Sequence, residues 1–409
     1  MPTSALTRSA KLYPLYLPLA QAHFWLPVFF LYFIQHMPLN QVLRLEAIYY
    51  IAVVIFEVPS GYLSDTLGRR LTLLISTLSA ILAQTFFLFG SSFLVFALAQ
   101  IFLAAGMAFR SGTDTSYHYD ILKSLNRQKE YDEREARITR NVFVASAAAA
   151  LIGGIVAIYA LRLAYALSLI GAFMAFLIAL TFTEPDREST ASTSGFFLQI
   201  RECLAYLSRP TLGWLMLFSI FMTVINHIPY EFYQPYIQLL EERHTAPTPL
   251  LTGFHTALTM IIAAWFAKRS IRLRDRLGTR TTLLISAGTQ TLLIIFMGIF
   301  LHPVVALLLT LRSAPRALMV APLNAAQVPH LQQNHRATYL SIQSLIGRLA
   351  FSGSLMLLAT TTGSDTNTTW LTFSQTLQIC TIFAVSGCII LVLTSLLISR
   401  SQWQLTSER

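Results

Sequence analysis

Several ionisable side chains sit inside stretches that are otherwise apolar. Glu57 follows IYYIAVVIF, and Arg348 lies in SIQSLIGRLAF. Such groups can pair as ions, exchange a proton or hold a charged solute, and they are costly in lipid unless they do. In FRSGTDTSYHYD, Arg110 and Asp114 are four apart, which puts them on one helical face, and His118 continues that face. In NHIPYEFYQPY, His227 and Glu231 share a face in the same way. Tyr230, Tyr233 and Tyr236 repeat every three residues there and read as an interfacial belt rather than a substrate box. In LRSAPRALMVAPL, Arg312 and Arg316 are four apart, and Pro315 between them can kink a helix and free backbone groups.

These arginines outnumber the buried acids Glu57, Asp114 and Glu231. If Asp114 takes Arg110, then Arg312 and Arg316 are short of partners. Two chemistries fit that surplus. An anionic group from solute or lipid could bind there, or Glu231, backbone carbonyls and water could satisfy the pair. Asp114 and Glu231, with His227 beside the latter, are the candidates for proton coupling, because a buried carboxylate can take up a proton unless a cation holds it ionised. Sodium coupling stays open.

The elements that must position these groups are membrane helices. The chain of 409 residues is 55% hydrophobic and only 12% charged, with mean hydropathy +0.58. Soluble domains average about 45–50% apolar and 25% charged. Runs long enough to cross a bilayer as helices recur along the whole length, without the short alternating segments of a β-barrel. Twelve spans are expected, at 13–36, 42–64, 71–91, 93–119, 140–160, 163–183, 211–237, 249–267, 281–301, 303–327, 338–362 and 371–399. Arg8, Lys11, LYPLYLPLA and AQA mimic a signal peptide, but the apolar run continues through HFWLPVFFLYFI, so a first span is expected. Most connections are short, the exceptions being 120–139, 184–210 and 238–248. Residues 184–210 begin polar, turn amphipathic and read as a linker between six-helix halves at 1–183 and 211–409.

Charge sets the orientation. With both termini in the cytoplasm, the outer connections carry only Arg44, Arg162 and Arg243, and the spans carry Arg110, Arg312, Arg316 and Arg348. The other 22 of the 29 Lys and Arg residues fall on the cytoplasmic side, as the positive-inside rule requires. The net charge of +10 therefore reports topology and not nucleic-acid binding. Cys203, Cys380 and Cys388 are too few and too scattered for a disulfide framework or a zinc site.

The chain repeats itself. SDTLGRRLTLLIS, Ser64 to Ser76, is matched by RDRLGTRTTLLIS, Arg274 to Ser286. Asp65 aligns with Asp275, Gly68 with Gly278 and Arg70 with Arg280. Paired halves of this kind are typical of secondary transporters. Gly68 permits a tight turn, Gly61 a close helix approach, and Asp65 can accept hydrogen bonds at a helix N-terminus.

GYLSDTLGRR resembles the signature G-x-x-x-D-x-x-G-R-[KR] of the major facilitator superfamily, through Gly61, Asp65, Gly68, Arg69 and Arg70. The second copy is degraded, with Ile271 for the first glycine and Thr279 for the first arginine. The combination of EVPSG, SGTDTSYHYD and RATYLS is similar to a bacterial efflux-type group. The resemblance implies an all-α membrane protein of twelve helices in two pseudo-symmetric halves, and a cavity lined by the first, fourth, seventh and tenth. It implies a lock of Asp65 against the cytoplasmic end of the eleventh helix, here Arg336 to Tyr339. It also makes the second and eleventh helices neighbours, so Glu57 and Arg348 are expected to pair, the alternative being that Glu57 bonds within its own half. Two departures weaken drug antiport: Gln100 stands in QIFLAAG where an arginine is usual, and Gly153 and Gly154 in the fifth span lack the accompanying proline.

The expected function is alternating-access transport of a small organic solute across a bacterial inner membrane by a monomer, proton-coupled, with efflux favoured over uptake. Proton-coupled uptake of an organic anion is the alternative. A non-transporting receptor or assembly partner of the same fold is the alternative from another class. No cofactor, metal-ligand cluster, nucleophile signature or P-loop is read, so neither an enzyme nor direct ATP use is expected.

Overall fold

The computed structural model describes residues 3–185, 196–241, 247–327, 330–331, 336–362 and 369–398. The chain is helical throughout these residues: α1 (Thr3–Ala20), α2 (Phe29–Ile34), α3 (Leu39–Thr66), α4 (Arg69–Phe89), α5 (Phe93–Arg110), α6 (Thr113–Ser124), α7 (Tyr131–Ala157), α8 (Leu161–Leu180), α9 (Phe196–Ala205), α10 (Pro210–Glu241), α11 (Thr248–Ala267), α12 (Ser270–Leu277), α13 (Thr279–Ile299), α14 (Pro303–Leu308), α15 (Ala314–Gln327), α16 (Arg336–Thr361) and α17 (Trp370–Leu396). Among the described residues, eleven stretches are long and apolar enough to cross a membrane. The protein is an integral membrane protein of all-α class.

The first expected span is the one missing from that set, because it is not continuous. α1 ends at Ala20, turns carry the chain through residues 21–28, and α2 is short. Pro14 and Pro18 lack the N–H of the helical ladder, and Pro27 disfavours helix at Leu26. Irregular backbone at this depth must find partners within the protein. Arg110 Nη1 donates to Ala20 O at 2.9 Å, and Trp25 N–H donates to Ser168 Oγ at 3.3 Å.

Two other spans are interrupted. Ser111 and Gly112 part α5 from α6, with Gly112 at φ 76°. A 3₁₀ turn at Leu309–Leu311 parts α14 from α15, just ahead of Pro315. The connection expected at 120–139 is largely helical: α6 runs to Ser124, a turn at Asn126 (φ 58°) reverses the chain, and α7 starts at Tyr131. Glu133 and Arg137, 2.8 Å apart, support that first turn of α7.

The helices group into two units, residues 1–191 with 246–257, and residues 192–245 with 258–409. The opening of α11 thus groups with the first unit. Glycine is the reason: a Cβ on Gly154 would lie 2.6 Å from Pro249 O, and one on Gly253 would lie 2.8 Å from Ala150 O. In the first unit, Tyr13, Tyr16, Tyr117, Phe182, Leu73 and Ile121 form a buried core. In the second, α10 is central. Trp214 Nε1 donates to Leu391 O, Tyr339 Oη to Leu212 O, and Gln290 Nε2 to Ile225 O.

Candidate functional site

The repeated connections adopt one geometry. Gly68 (φ 121°) and Gly278 (φ 81°) each stand immediately before a helix, α4 and α13. Thr72 and Thr282, four residues on, donate back to the two glycine carbonyls. Arg70 Nη2 donates to Leu180 O at the end of α8, and Arg280 Nε donates to Ser395 Oγ at the end of α17. Asp275 pairs with Arg274. The side chains of Gly61, Asp65 and Arg336 lie outside the described residues, and so does the expected lock of Asp65 on the eleventh span.

The helix-terminal anion expected from Asp65 is supplied by Glu184. The N–H groups of Arg69 and Arg70 donate to its two carboxylate oxygens, each at 2.8 Å. Arg69 Nε meets Asp120 Oδ2 at 2.6 Å. Sequence reasoning left both acids in connecting segments. The SGTDTSYHYD run ending at Asp120 was the available signal, and nothing local marked Glu184.

Arg110 and Asp114 form no ion pair. Left-handed Gly112 interrupts the helix between them, so spacing of four does not place them on one face. Arg110 instead holds Ala20 O, and Asp114 Oδ1 accepts from Thr115 N–H at 2.7 Å. His118 is fully buried, stacks on Tyr13 at 4.6 Å and meets Glu135 at 2.8 Å. Glu135 was passed over because it stood in the expected connection. His23, Gln84, Arg110 and Ser168 converge on the break in the first span, around a cavity of about 20 Å³. That is room for roughly one water. Gln84 is 2% exposed, and its Oε1 has no protein partner.

In the second unit, His227 and Glu231 do lie on one continuous helix, α10. Glu231 is fully buried, and His227 Nδ1 meets Thr223 O while its ring packs on Phe351. The tyrosines are not an interfacial belt. Tyr233 and Tyr236 are core residues, because α10 is central to its unit and buries both sides of that stretch. Arg312 and Arg316 differ. Arg312 is 4% exposed, lies 3.9 Å over the Tyr233 ring and donates to Thr259 Oγ1 at 2.8 Å. Arg316 is exposed, takes part in no hydrogen bond or ion pair among the described residues, and lies in electrostatic reach of His227 together with Arg348. Glu57 belongs to the first unit and Arg348 to the second.

One acid was missed altogether. Glu46, 5% exposed on α3, accepts from Gln100 Nε2 of α5 at 2.9 Å. It lay within an expected span, but RLEAIYY near the span's edge gave no reason to bury it.

Two units of membrane helices with a repeated connection, a broken first span and charged groups at membrane depth define a secondary-transporter architecture. The family profile of the Major Facilitator Superfamily matches residues 19–355, and the chain belongs to that family. Solved structures with the same fold include a mutant form of the nucleoside transporter NupG, with TM-score 0.78 and 13% identity over 95% of this chain and 99% of that one. An auto-inhibited peptide transporter of the POT family has TM-score 0.71 and 13% identity, over 96% and 97% of the two chains. A D-xylose-proton symporter has TM-score 0.67 and 16% identity, over 95% and 96%. No curated protein matches the chain.

Proposed function

We propose that this protein is a proton-coupled secondary transporter that moves a small organic solute bearing an anionic group across a bacterial cytoplasmic membrane. It works as a monomer, with both termini cytoplasmic. Residues 1–183 and 211–409 are the halves that rock in alternating access, residues 184–210 link them, and Glu57 and Arg348 pair in one of the two states. The observation that carries the anionic solute is Arg316: a charged guanidinium in a membrane-spanning helix, exposed and in no ion pair among the described residues. A cation so placed faces water or a counter-ion. Asp114 and Glu231 are the carboxyl groups for proton coupling.

Efflux is the direction favoured by the sequence resemblance. Uptake of the same anion with protons is the second reading, supported by the likeness to a proton symporter. The test is the thermal midpoint of purified protein against matched panels of small organic anions and cations, since a ligand that binds only the folded state raises it. An anion-dependent rise that disappears in Arg316→Gln supports the proposal. A rise only with lipophilic cations, or an anion effect unchanged in the variant, overturns the anionic site. Proteoliposomes with a proton gradient of either sign then read the direction, and a solute that binds but never crosses leaves the receptor reading.

A further inference from the structure

Glu46 has an unusual setting for an acid. It lies seven residues into α3, within a membrane-spanning stretch, and is 5% exposed. Burying an ionised carboxylate normally requires a cation or several donors. Here the hydrogen-bond partner is the amide of Gln100, and Glu46 takes part in no ion pair among the described residues. An amide suits a group that changes charge. Its N–H₂ serves a carboxylate and its oxygen can accept from a carboxyl O–H, whereas an arginine or lysine offers donors only.

The surrounding groups lead outward. From α8, Tyr165 is fully buried, lies in electrostatic reach of Glu46, and its hydroxyl has no protein partner. From α2, Tyr32 packs on Tyr165 with ring centroids 4.6 Å apart, and its own hydroxyl donates to Phe87 O. Tyr32 also lines an open cavity of about 380 Å³ with Gln35, His36 and Arg162. His36 Nδ1 meets Tyr32 O at 2.8 Å. On α3 itself the nearest charge, Arg44, is exposed. The titratable groups between Glu46 and water are thus two tyrosines and a histidine, with Arg162 at the mouth.

We propose that Glu46 is a proton-binding site of the first unit, filled and emptied through the Tyr32–His36–Arg162 cavity, with Gln100 as the neutral partner of both charge states. The inference rests on the proton-coupled reading above but names a different group. The step is one O–H bond made or broken: the proton comes from water in the cavity and returns to it, leaving a carboxyl in one state and a carboxylate in the other.

The test needs no solute. Infrared difference spectra between acidic and alkaline buffer are recorded for the full chain in vesicles of phosphatidylethanolamine and phosphatidylglycerol. A carboxyl C=O band in the wild type that is lost in Glu46→Gln is expected. In Gln100→Leu the band should persist but move to higher frequency, because its hydrogen bond is gone. Superimposable spectra of wild type and Glu46→Gln overturn the proposal. Gradient-driven movement of the panel anion that raises the midpoint most is the second readout. If the wild type shows none, the coupling reading fails and the infrared band alone decides Glu46. If wild type and Glu46→Gln are driven equally, proton coupling stands and Glu46 is not its carrier.

Discussion

Gly68 leaves the space that Glu184 fills: a Cβ built on Gly68 would lie 3.1 Å from Glu184 Oε2. The glycine also holds φ 121°, a conformation that strains any other residue. The carboxylate meets two backbone N–H groups at the start of α4, where the macrodipole favours an anion. Glu184→Ala is expected to cost about 2 kcal/mol, the scale of hydrogen bonds to a charged group, and Gly68→Ala about 1–3 kcal/mol from backbone strain alone. Thermal unfolding in detergent checks both, and unchanged midpoints would show that the contact holds nothing.

The broken first span depends on Gly153. A Cβ there would come within 1.9 Å of Phe24 O, a backbone atom that cannot swing aside, whereas a Cβ on Gly171 would meet Leu19 O at an ordinary 3.4 Å. Gly153→Ala should therefore yield little monodisperse protein by size-exclusion chromatography, and Gly171→Ala should behave as wild type. Equal yields of the two variants would refute the close approach.

Arg312 is held by a ring and a hydroxyl. Tyr233→Phe keeps the ring face and should change stability little. Tyr233→Leu removes it and should cost roughly 2 kcal/mol, the value for a desolvated cation–π contact. The thermal midpoint reads this, and the anion-dependent shift assigned to Arg316 should survive in both variants. If Tyr233→Leu abolishes that shift without lowering the midpoint, Arg312 belongs with the solute.

Cys203 is 1% exposed on α9, and burial, followed by the nearby Glu202, raises its thiol above the ordinary cysteine range. The thiolate is the reactive form, so a raised pKa means less thiolate at any given pH. Maleimide labelling of Cys203 in folded protein should be slower than that of a model thiol at neutral pH. It should catch up only in alkaline buffer or on denaturation. A variant lacking Cys380 and Cys388 isolates the signal, and prompt labelling at neutral pH would contradict the buried setting.

Reading the sequence gave the class and the repeat because both are local. Span length and hydropathy are carried by contiguous residues, and lysine and arginine placement needs no fold. The 210-residue offset places Gly68 and Gly278 at one turn, and both have the positive φ that a glycine there implies. Pro315 marked the interruption of the tenth span correctly. Spacing failed where a helix was assumed continuous. Gly112 separates Arg110 from Asp114, and the turn at Leu309–Leu311 leaves Arg312 buried and Arg316 exposed. Pro14, Pro18 and Pro27 were in view, but the unbroken apolar run outweighed them.

The sequence by itself determined that the chain lives in lipid, that it repeats, and which charges lie at membrane depth, because hydropathy and the cost of burying charge act on each segment alone. Only the tertiary structure decided which charges meet. Glu184 reaches α4 from 115 residues away, and Gln100 reaches Glu46 from 54. Those partners are set by which helices pack side by side, and a hydrogen bond a few ångströms long between distant segments leaves no trace in the spacing of either one.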